Sequence, residues 1–188
     1  MKVIGICGSP RKGGNTDILL DKALEGARSA GSDTEKMVLN DLDFKPCQEC
    51  RECEMAGMCE VDDDMGLVYK KFEEADAVII ASPIFFGSVS AQLKMMIDRF
   101  NCLWVRKYVL KCLPPTKRRR KGIFISVSGT DKSTFFNNAR EIIKIFFAVL
   151  DIDYSGELFY RGVEKKAAIK DKKGVLDEAF RLGVSLVT

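Results

Sequence analysis

The sequence predicts an α/β fold, a doubly wound parallel sheet of five strands with helices on both faces. Three observations carry this expectation. The runs Val3-Ile4-Gly5-Ile6-Cys7, Ala77-Val78-Ile79-Ile80-Ala81 and Gly122-Ile123-Phe124-Ile125-Ser126-Val127 lack polar alternation, as strands buried on both faces do. Amphipathic helical patterns separate these runs, and strands alternating with helices give parallel neighbours joined by crossovers. A glycine-rich loop, Gly8 to Thr16, joins the first strand to the first helix.

In the first helix Ile18, Leu19, Leu20, Ala23, Leu24 and Ala27 share one side, opposite Asp21, Lys22, Glu25 and Arg28. Gly31-Ser32-Asp33 reads as a turn, and Thr34 to Leu39 alternates as a second strand. Asp62-Asp63-Asp64 suits the charged start of a helix carrying Met65, Leu67, Val68 and Phe72. Beyond the third strand come a loop, Ser82 to Ser88, a helix from Ser90 to Phe100, and an insertion, 100–121, holding Trp104 and Tyr108. The fourth strand leads through the loop Ser128 to Asp131 into a helix, Asn137 to Leu150. A last strand, Ile152 to Phe159, and a closing helix, Gly174 to Val187, complete one domain, 1–188, with no repeat or linker. Five such strands suggest the flavodoxin-like order 2-1-3-4-5, with a cysteine-rich loop, 45–64, after strand 2 and beside strand 1, where it can fold over the carboxyl edge. That order gathers the loops after strands 1, 3 and 4 at the carboxyl edge, where such folds bind ligands.

The first loop has the makings of a phosphate cradle. A helix start offers unpaired N–H groups and a positive dipole end. Gly8, Gly13 and Gly14 allow close backbone approach, Ser9, Asn15 and Thr16 add donors, and Arg11 adds charge. Gly14 stands where an ATP-type loop needs lysine, and the dinucleotide pattern Gly-x-Gly-x-x-Gly is absent. What remains suits a single terminal phosphate such as that of FMN; the alternative is an ordinary turn with a helix N-cap. Pro83, Ile84, Phe85, Phe86, Gly87 and Ser88 offer apolar surface and free backbone groups to a flat ring, and Ser128 and Gly129 a third contact. Core or interface packing is the competing role for the two phenylalanines.

Length and composition limit the chemistry. The chain has 188 residues, seven cysteines and no histidine, so imidazole general bases, Ser-His-Asp and Cys-His pairs and histidine metal ligands are excluded. No stretch is apolar enough to span a bilayer and no signal peptide is recognisable, so the cytoplasm is the expected location, with no membrane partner. Cysteines in that setting point to metal or redox chemistry. Cys47, Cys50, Cys53 and Cys59 form C-x2-C-x2-C-x5-C, whose compact opening is that of a ferredoxin cluster motif. A [4Fe–4S] cluster, a structural zinc or a redox-active thiol set all remain open at this point. Cys7 reads as core, and Cys102 and Cys112 as structural.

Asp41 to Asp76 carries twelve acidic and four basic residues, a balance that lowers a cluster potential or simply solvates the loop. Arg106 to Lys121 carries eight basic and no acidic residues. Its run 117–121 reads as a solvated loop, or as a dock for an acidic carrier such as ferredoxin. No recognition motif supports nucleic-acid binding. Trp104, Phe100 and Tyr108 exceed what a monomer covers easily, which suggests a homodimer or tetramer.

Gly8-Ser9-Pro10-Arg11 through Asn15-Thr16, with Ser82-Pro83-Ile84-Phe85-Phe86-Gly87-Ser88-Val89-Ser90-Ala91-Gln92-Leu93-Lys94 and Ile97-Asp98-Arg99, resembles the NADPH-dependent FMN reductase superfamily over most of the chain. With the cysteine spacing added, the chain resembles its iron–sulfur flavoprotein family. That resemblance implies FMN and a [4Fe–4S] cluster in each subunit of a homodimer-based assembly. It also implies electron transfer from a donor such as ferredoxin to a small-molecule acceptor such as oxygen, peroxide or a quinone. Ser128-Gly129-Thr130-Asp131 departs from the family in lacking paired glycines. Two rival functions stay beside it: a zinc-stabilised NAD(P)H-dependent FMN or quinone reductase, and a non-catalytic flavodoxin-like electron carrier.

Overall fold

A computed structural model describes residues 1–112 and 119–188. Strands β1 (Lys2–Cys7), β2 (Asp33–Val38), β3 (Ala77–Pro83), β4 (Arg120–Val127) and β5 (Ile152–Tyr160) form one sheet in the order β2-β1-β3-β4-β5. Every pairing is parallel. This is the flavodoxin-like arrangement. The helices are α1 (Asn15–Ser29), α2 (Cys53–Ala56), α3 (Met65–Glu74), α4 (Ala91–Arg99), α5 (Asn101–Trp104), α6 (Phe135–Val149) and α7 (Val175–Val187). No helix among the described residues is long and apolar enough to cross a membrane.

The pleat explains the uniformly apolar strands. Alternate residues point to opposite faces, and both faces are covered. Ile4, Ile6, Val78, Ile80 and Phe124 face a core shared with α3, α4 and α6. Val3, Cys7, Ile79, Ile123 and Ile125 face a second core shared with α1 and α7.

The expected insertion divides into three parts. Its first part continues the preceding helix, through α5 and a π-helical turn, Val105–Val109. Phe100 lies between α4 and α5 at 1% exposure, with edge-on contacts to Tyr69, Phe72 and Phe146. It belongs to the core and not to an uncovered surface, whereas Trp104 and Tyr108 are 43% and 47% exposed. Residues 113–118, with Lys117 and Arg118 of the basic run, lie outside the described residues. Arg119 is exposed and pairs with Asp153 at 3.3 Å, as a solvated charge would. Arg120 and Lys121 open β4 two residues before its expected start, opposite Ile152 and Asp153. Arg120 donates to the carbonyls of Phe72 and Leu150, tying the ends of α3 and α6 together.

Candidate functional site

The glycine loop runs from the end of β1 to the start of α1. Gly8 N–H donates to Ala81 O at 2.8 Å, and Ser90 Oγ donates to Gly8 O at 2.6 Å. These bonds fix the first loop to the strand and helix that flank the second. A Cβ on Gly8 would stand 2.9 Å from Leu93 Cβ, so this glycine serves close packing on α4. Gly13 is the loop glycine with a positive φ, 66°. Its N–H donates to Asp17 Oδ2 at 2.8 Å. Asp17 also pairs with Lys36 at 2.6 Å and accepts from the Cys7 thiol at 3.5 Å. Burial opposes the Asp17 charge, but Lys36 and the Gly13 N–H outweigh it and hold the carboxyl below its usual range. Burial pushes the Cys7 thiol up to about 12. Asp17 is a positioning residue that the sequence reading did not single out.

Asn15 takes a different part from the expected one. Its amide donates to Val163 O and Lys165 O, at 3.1 and 2.9 Å, and its Oδ1 accepts from Ile169 N–H. It holds the loop after β5 against the glycine loop. The Thr16 hydroxyl makes no hydrogen bond among the described residues, and Arg11 reaches only Glu164 O, at 3.4 Å. Those two groups, the Ser9 hydroxyl, which only accepts from Arg11 N–H, and the start of α1 are the donors left for an anion.

The second loop turns back on itself. Phe85 and Ser88 exchange two backbone hydrogen bonds of 3.0 Å, and Phe86 and Gly87 at the tip have φ of 50° and 72°. A bulky residue in the left-handed region is a strained choice. Phe86 is also fully exposed, and Asn138 holds the tip by donating to Gly87 O. Ser82 and Ser126 tie the strand ends together: Ser126 Oγ donates to Ser82 O at 2.7 Å, and Ser82 Oγ accepts from Ser90 N–H at 2.9 Å. In the third loop Ser128 Oγ meets Thr130 Oγ1 at 3.0 Å.

These loops enclose one open cavity of about 240 Å³. Eleven of the thirteen expected cofactor residues border it: Ser9, Arg11, Gly14, Asn15, Thr16, Pro83, Ile84, Phe85, Phe86, Ser128 and Gly129. Gly87 and Ser88 do not; they form the hairpin that carries Phe86. The sequence reading missed Thr130, Phe135 and Glu164 in the wall. Glu164 lies against Gly129, where a Cβ would overlap its carboxylate.

The cysteine loop is closed at its base by paired strands of chain. Asp64 Oδ2 accepts from Asp43 N–H at 2.7 Å, and Asp63 Oδ2 from Lys45 N–H at 3.1 Å. Asp63 also accepts from Met65 N–H, the helix-start role expected of the aspartate run. Its larger partner is Arg99, the last residue of α4, 1% exposed and paired with it at 2.6 and 3.1 Å. Arg99 further donates to Lys45 O at 2.8 Å and Val61 O at 3.2 Å, so one guanidinium holds both ends of the loop. Burial opposes the Arg99 charge; Asp63 outweighs it and raises its pKa, with Tyr69 and Cys59 adding to the effect.

Cys47, Cys50, Cys53 and Cys59 all border a single cavity of about 110 Å³. No three Cys, Asp or Glu side chains among the described residues are placed to hold a metal ion. Tetrahedral zinc, with Zn–S near 2.3 Å, needs sulfurs about 3.8 Å apart. A polynuclear cluster spreads its thiolates more widely, and three features fit one. Glu49 and Arg51, either side of Cys50, have φ of 53° and 67°, and Glu52 follows at −57°. Such alternation of hand turns backbone N–H groups toward an anionic centre. Asn101 donates toward Cys53 Sγ at 3.9 Å. Arg99 borders the cavity, and its buried Nε has no partner among the described residues. Burial, then the nearby Cys47 and Cys50, pushes the Cys53 thiol up.

Two sequence expectations change here. Cys102 is buried in the wall of this same cavity, because α5 carries the chain back past the loop. The loop also docks on the α4–α5 junction and does not fold over the carboxyl edge of the sheet. Arg99 lies nine residues along a helix from Ser90, a rise of roughly 13 Å. The two cavities share no lining residue.

The sequence profile of the NADPH-dependent FMN reductase family matches residues 1–148. An iron–sulfur flavoprotein of Methanocaldococcus jannaschii is 48% identical over 99 residues, 53% of this chain and 51% of that protein, so the match spans about half the relative's length. Another iron–sulfur flavoprotein of the same organism is 31% identical over 188 residues, covering 98% of this chain and 91% of the relative. Among solved structures, a flavodoxin from the domain Archaea superposes with a TM-score of 0.60 at 14% identity, over 100% of this chain and 96% of that one. The chain belongs to the NADPH-dependent FMN reductase family and, within it, to the iron–sulfur flavoproteins.

Proposed function

We propose that this protein is an oxidoreductase that binds FMN in the carboxyl-edge cavity and a [4Fe–4S] cluster on Cys47, Cys50, Cys53 and Cys59. It takes electrons from a one-electron carrier such as ferredoxin and delivers them to a small acceptor such as oxygen, peroxide or a quinone. The observation that carries the reading is the meeting of three strand-end loops around one cavity, with eleven expected residues in its wall. Bound FMN supplies exchange between one- and two-electron transfer, and the cluster supplies single electrons. The chain's own residues bind and orient. Arg11, Thr16 and the start of α1 meet the phosphate. Ile84, Phe85 and Phe86 give the flat ring apolar surface, and Ser128 and Thr130 add polar contacts. The all-thiolate set suits iron better than a histidine-dependent metal, since the chain has no histidine.

Anaerobic purification followed by absorption spectroscopy and flavin, iron, sulfide and zinc assays tests this reading. We expect one FMN and about four irons and four sulfides per chain. Alanine at any one of the four cysteines should remove iron and leave FMN bound. One zinc and no sulfide in the native protein would replace this reading by the zinc-stabilised reductase. The family match itself favours NADPH as an alternative donor. Rapid flavin bleaching by NADPH without ferredoxin would establish it, and failure of turnover with either donor would leave a carrier.

The proposed assembly is a homodimer or dimer of dimers. Its support is the exposed face of Trp104, Tyr108 and Val109, with Met55 and Met58 of the cysteine loop also exposed. A monomer at micromolar concentration in sedimentation, with FMN bound, would overturn it.

A further inference from the structure

Arg99 presents five N–H donors. Four are accounted for: Nη1 donates to Lys45 O and Asp63 Oδ2, and Nη2 to Val61 O and Asp63 Oδ1. The fifth, on Nε, is buried without an acceptor among the described residues, and Arg99 is one of the residues that border the cavity of the four cysteines. A buried donor left unmet is destabilising, and such an orphan in a native fold calls for a partner absent from the protein alone. Cys59 borders the same cavity and lies two residues before Val61, whose carbonyl accepts from Arg99 Nη2.

We propose that Arg99 is the positioning residue of the cysteine centre, with its Nε–H donated to the metal-bound sulfur of Cys59 so that the buried cation sets the reduction potential. The inference rests on the cluster reading of the cysteine loop. Reduction adds one electron to an assembly that four thiolates already make negative. A fixed cation and an N–H···S bond stabilise the reduced form more than the oxidised one. Asp63 opposes this, since its carboxylate offsets part of the guanidinium charge while holding the group in place. The acid-rich surroundings push the potential down, and Arg99 is the buried group that pushes it up.

The test compares native protein with R99K and D63N, each loaded anaerobically with iron and sulfide. The readouts are iron and sulfide per chain and the one-electron midpoint of the cluster from an EPR-monitored titration. Lysine keeps a cation but lacks the Nε–H and the planar fork. R99K should keep its iron, with its reduction equilibrium weakened about tenfold, a negative shift of ~59 mV. D63N should shift the midpoint the other way. Midpoints unmoved in both variants, or iron lost while the remaining clusters keep the native midpoint, would reduce Arg99 to a loop staple and overturn the proposal. Native protein that takes up no iron and sulfide would overturn the cluster reading itself, and this proposal with it.

Discussion

The glycine loop and the cysteine loop both follow a strand of the same sheet, yet they are held in different ways. The glycine loop is short and is closed by its own neighbours. Gly13 bonds to Asp17 four residues on, and Gly8 lies against Ala81 of the adjacent strand. The cysteine loop depends on one side chain for its closure, since Arg99 bonds to Lys45 at one end and to Val61 and Asp63 at the other. Backbone geometry shapes the first site, and a single buried ion pair shapes the second. The shape of the first should therefore depend less on any one side chain, and the second should not tolerate loss of Arg99.

The strongest way to break that contrast is Arg99→Met. It leaves Asp63 buried beside an apolar side chain, and breaking a buried pair in this way costs about 3–5 kcal/mol. Urea unfolding should register the loss, with iron uptake falling alongside. FMN affinity of the folded fraction should stay near native, because no residue of the flavin cavity touches Arg99. Equal loss of flavin and iron would show that the two loops are one cooperative unit.

Gly8→Ala probes the other loop at its tightest backbone contact. The added methyl meets Leu93 Cβ at 2.9 Å and Ser90 Oγ at 3.0 Å, neither of them the end of a flexible chain. Overpacking there should destabilise by about 1–3 kcal/mol and weaken FMN binding together with stability. A variant as stable as native would mean that α4 shifts freely, and that the loop is less fixed than its bonds suggest.

How far each loop was legible in sequence follows from the same contrast. The strands and the sheet order followed from apolar runs, because parallel strands covered on both faces need no alternation. The glycine loop followed from its glycine spacing between an apolar run and a helical pattern, whereas its ties to Ala81 and Ser90 did not. The structural ties of the Asn15 side chain were not legible because its partners Val163, Lys165 and Ile169 lie some 150 residues away. Arg99 stood in the sequence only as the end of the stretch Ile97-Asp98-Arg99, and its burial was not legible because its partners Lys45 and Asp63 lie 54 and 36 positions away. Cys102 looked isolated until α5 carried it back to the cysteine cavity. Phe86 was legible as an aromatic of the cavity wall, whereas its left-handed φ, set by the two-residue turn, was not.

Arg11→Ala and Thr16→Ala sharpen the claim that few donors remain free at the phosphate end. Each should weaken FMN binding by about 1–3 kcal/mol, with little change in thermal unfolding, since Arg11 is exposed and the Thr16 hydroxyl has no protein partner to lose. Asn15→Ala should do the reverse, loosening the 163–169 loop and lowering stability first. Fluorescence titration of flavin beside calorimetry separates the two outcomes, and identical effects from all three variants would erase the distinction.

The smallest effect concerns the one buried ion pair that the glycine loop does possess, Asp17 with Lys36. The Asp17 pKa is lowered and that of Lys36 is raised. A lowered carboxyl stabilises the fold fully above its unfolded value, near 3.9, and loses that contribution as pH falls through the folded pKa. A raised amine contributes fully below its own unfolded value, near 10.4, and loses it as pH rises through the folded pKa. The stability difference between native protein and Asp17→Asn should thus be flat from about pH 5 to 9 and shrink at both flanks. Its plateau should be about 1–2 kcal/mol, the scale of hydrogen bonds to a charged group, because Lys36 keeps Asp21 at 2.8 Å and the amide can still accept from Gly13. Urea midpoints across that range measure it. A difference that stays constant below pH 3 would show that Asp17 acts by shape alone, making the glycine loop independent of charge, in contrast to the cysteine loop held by Arg99.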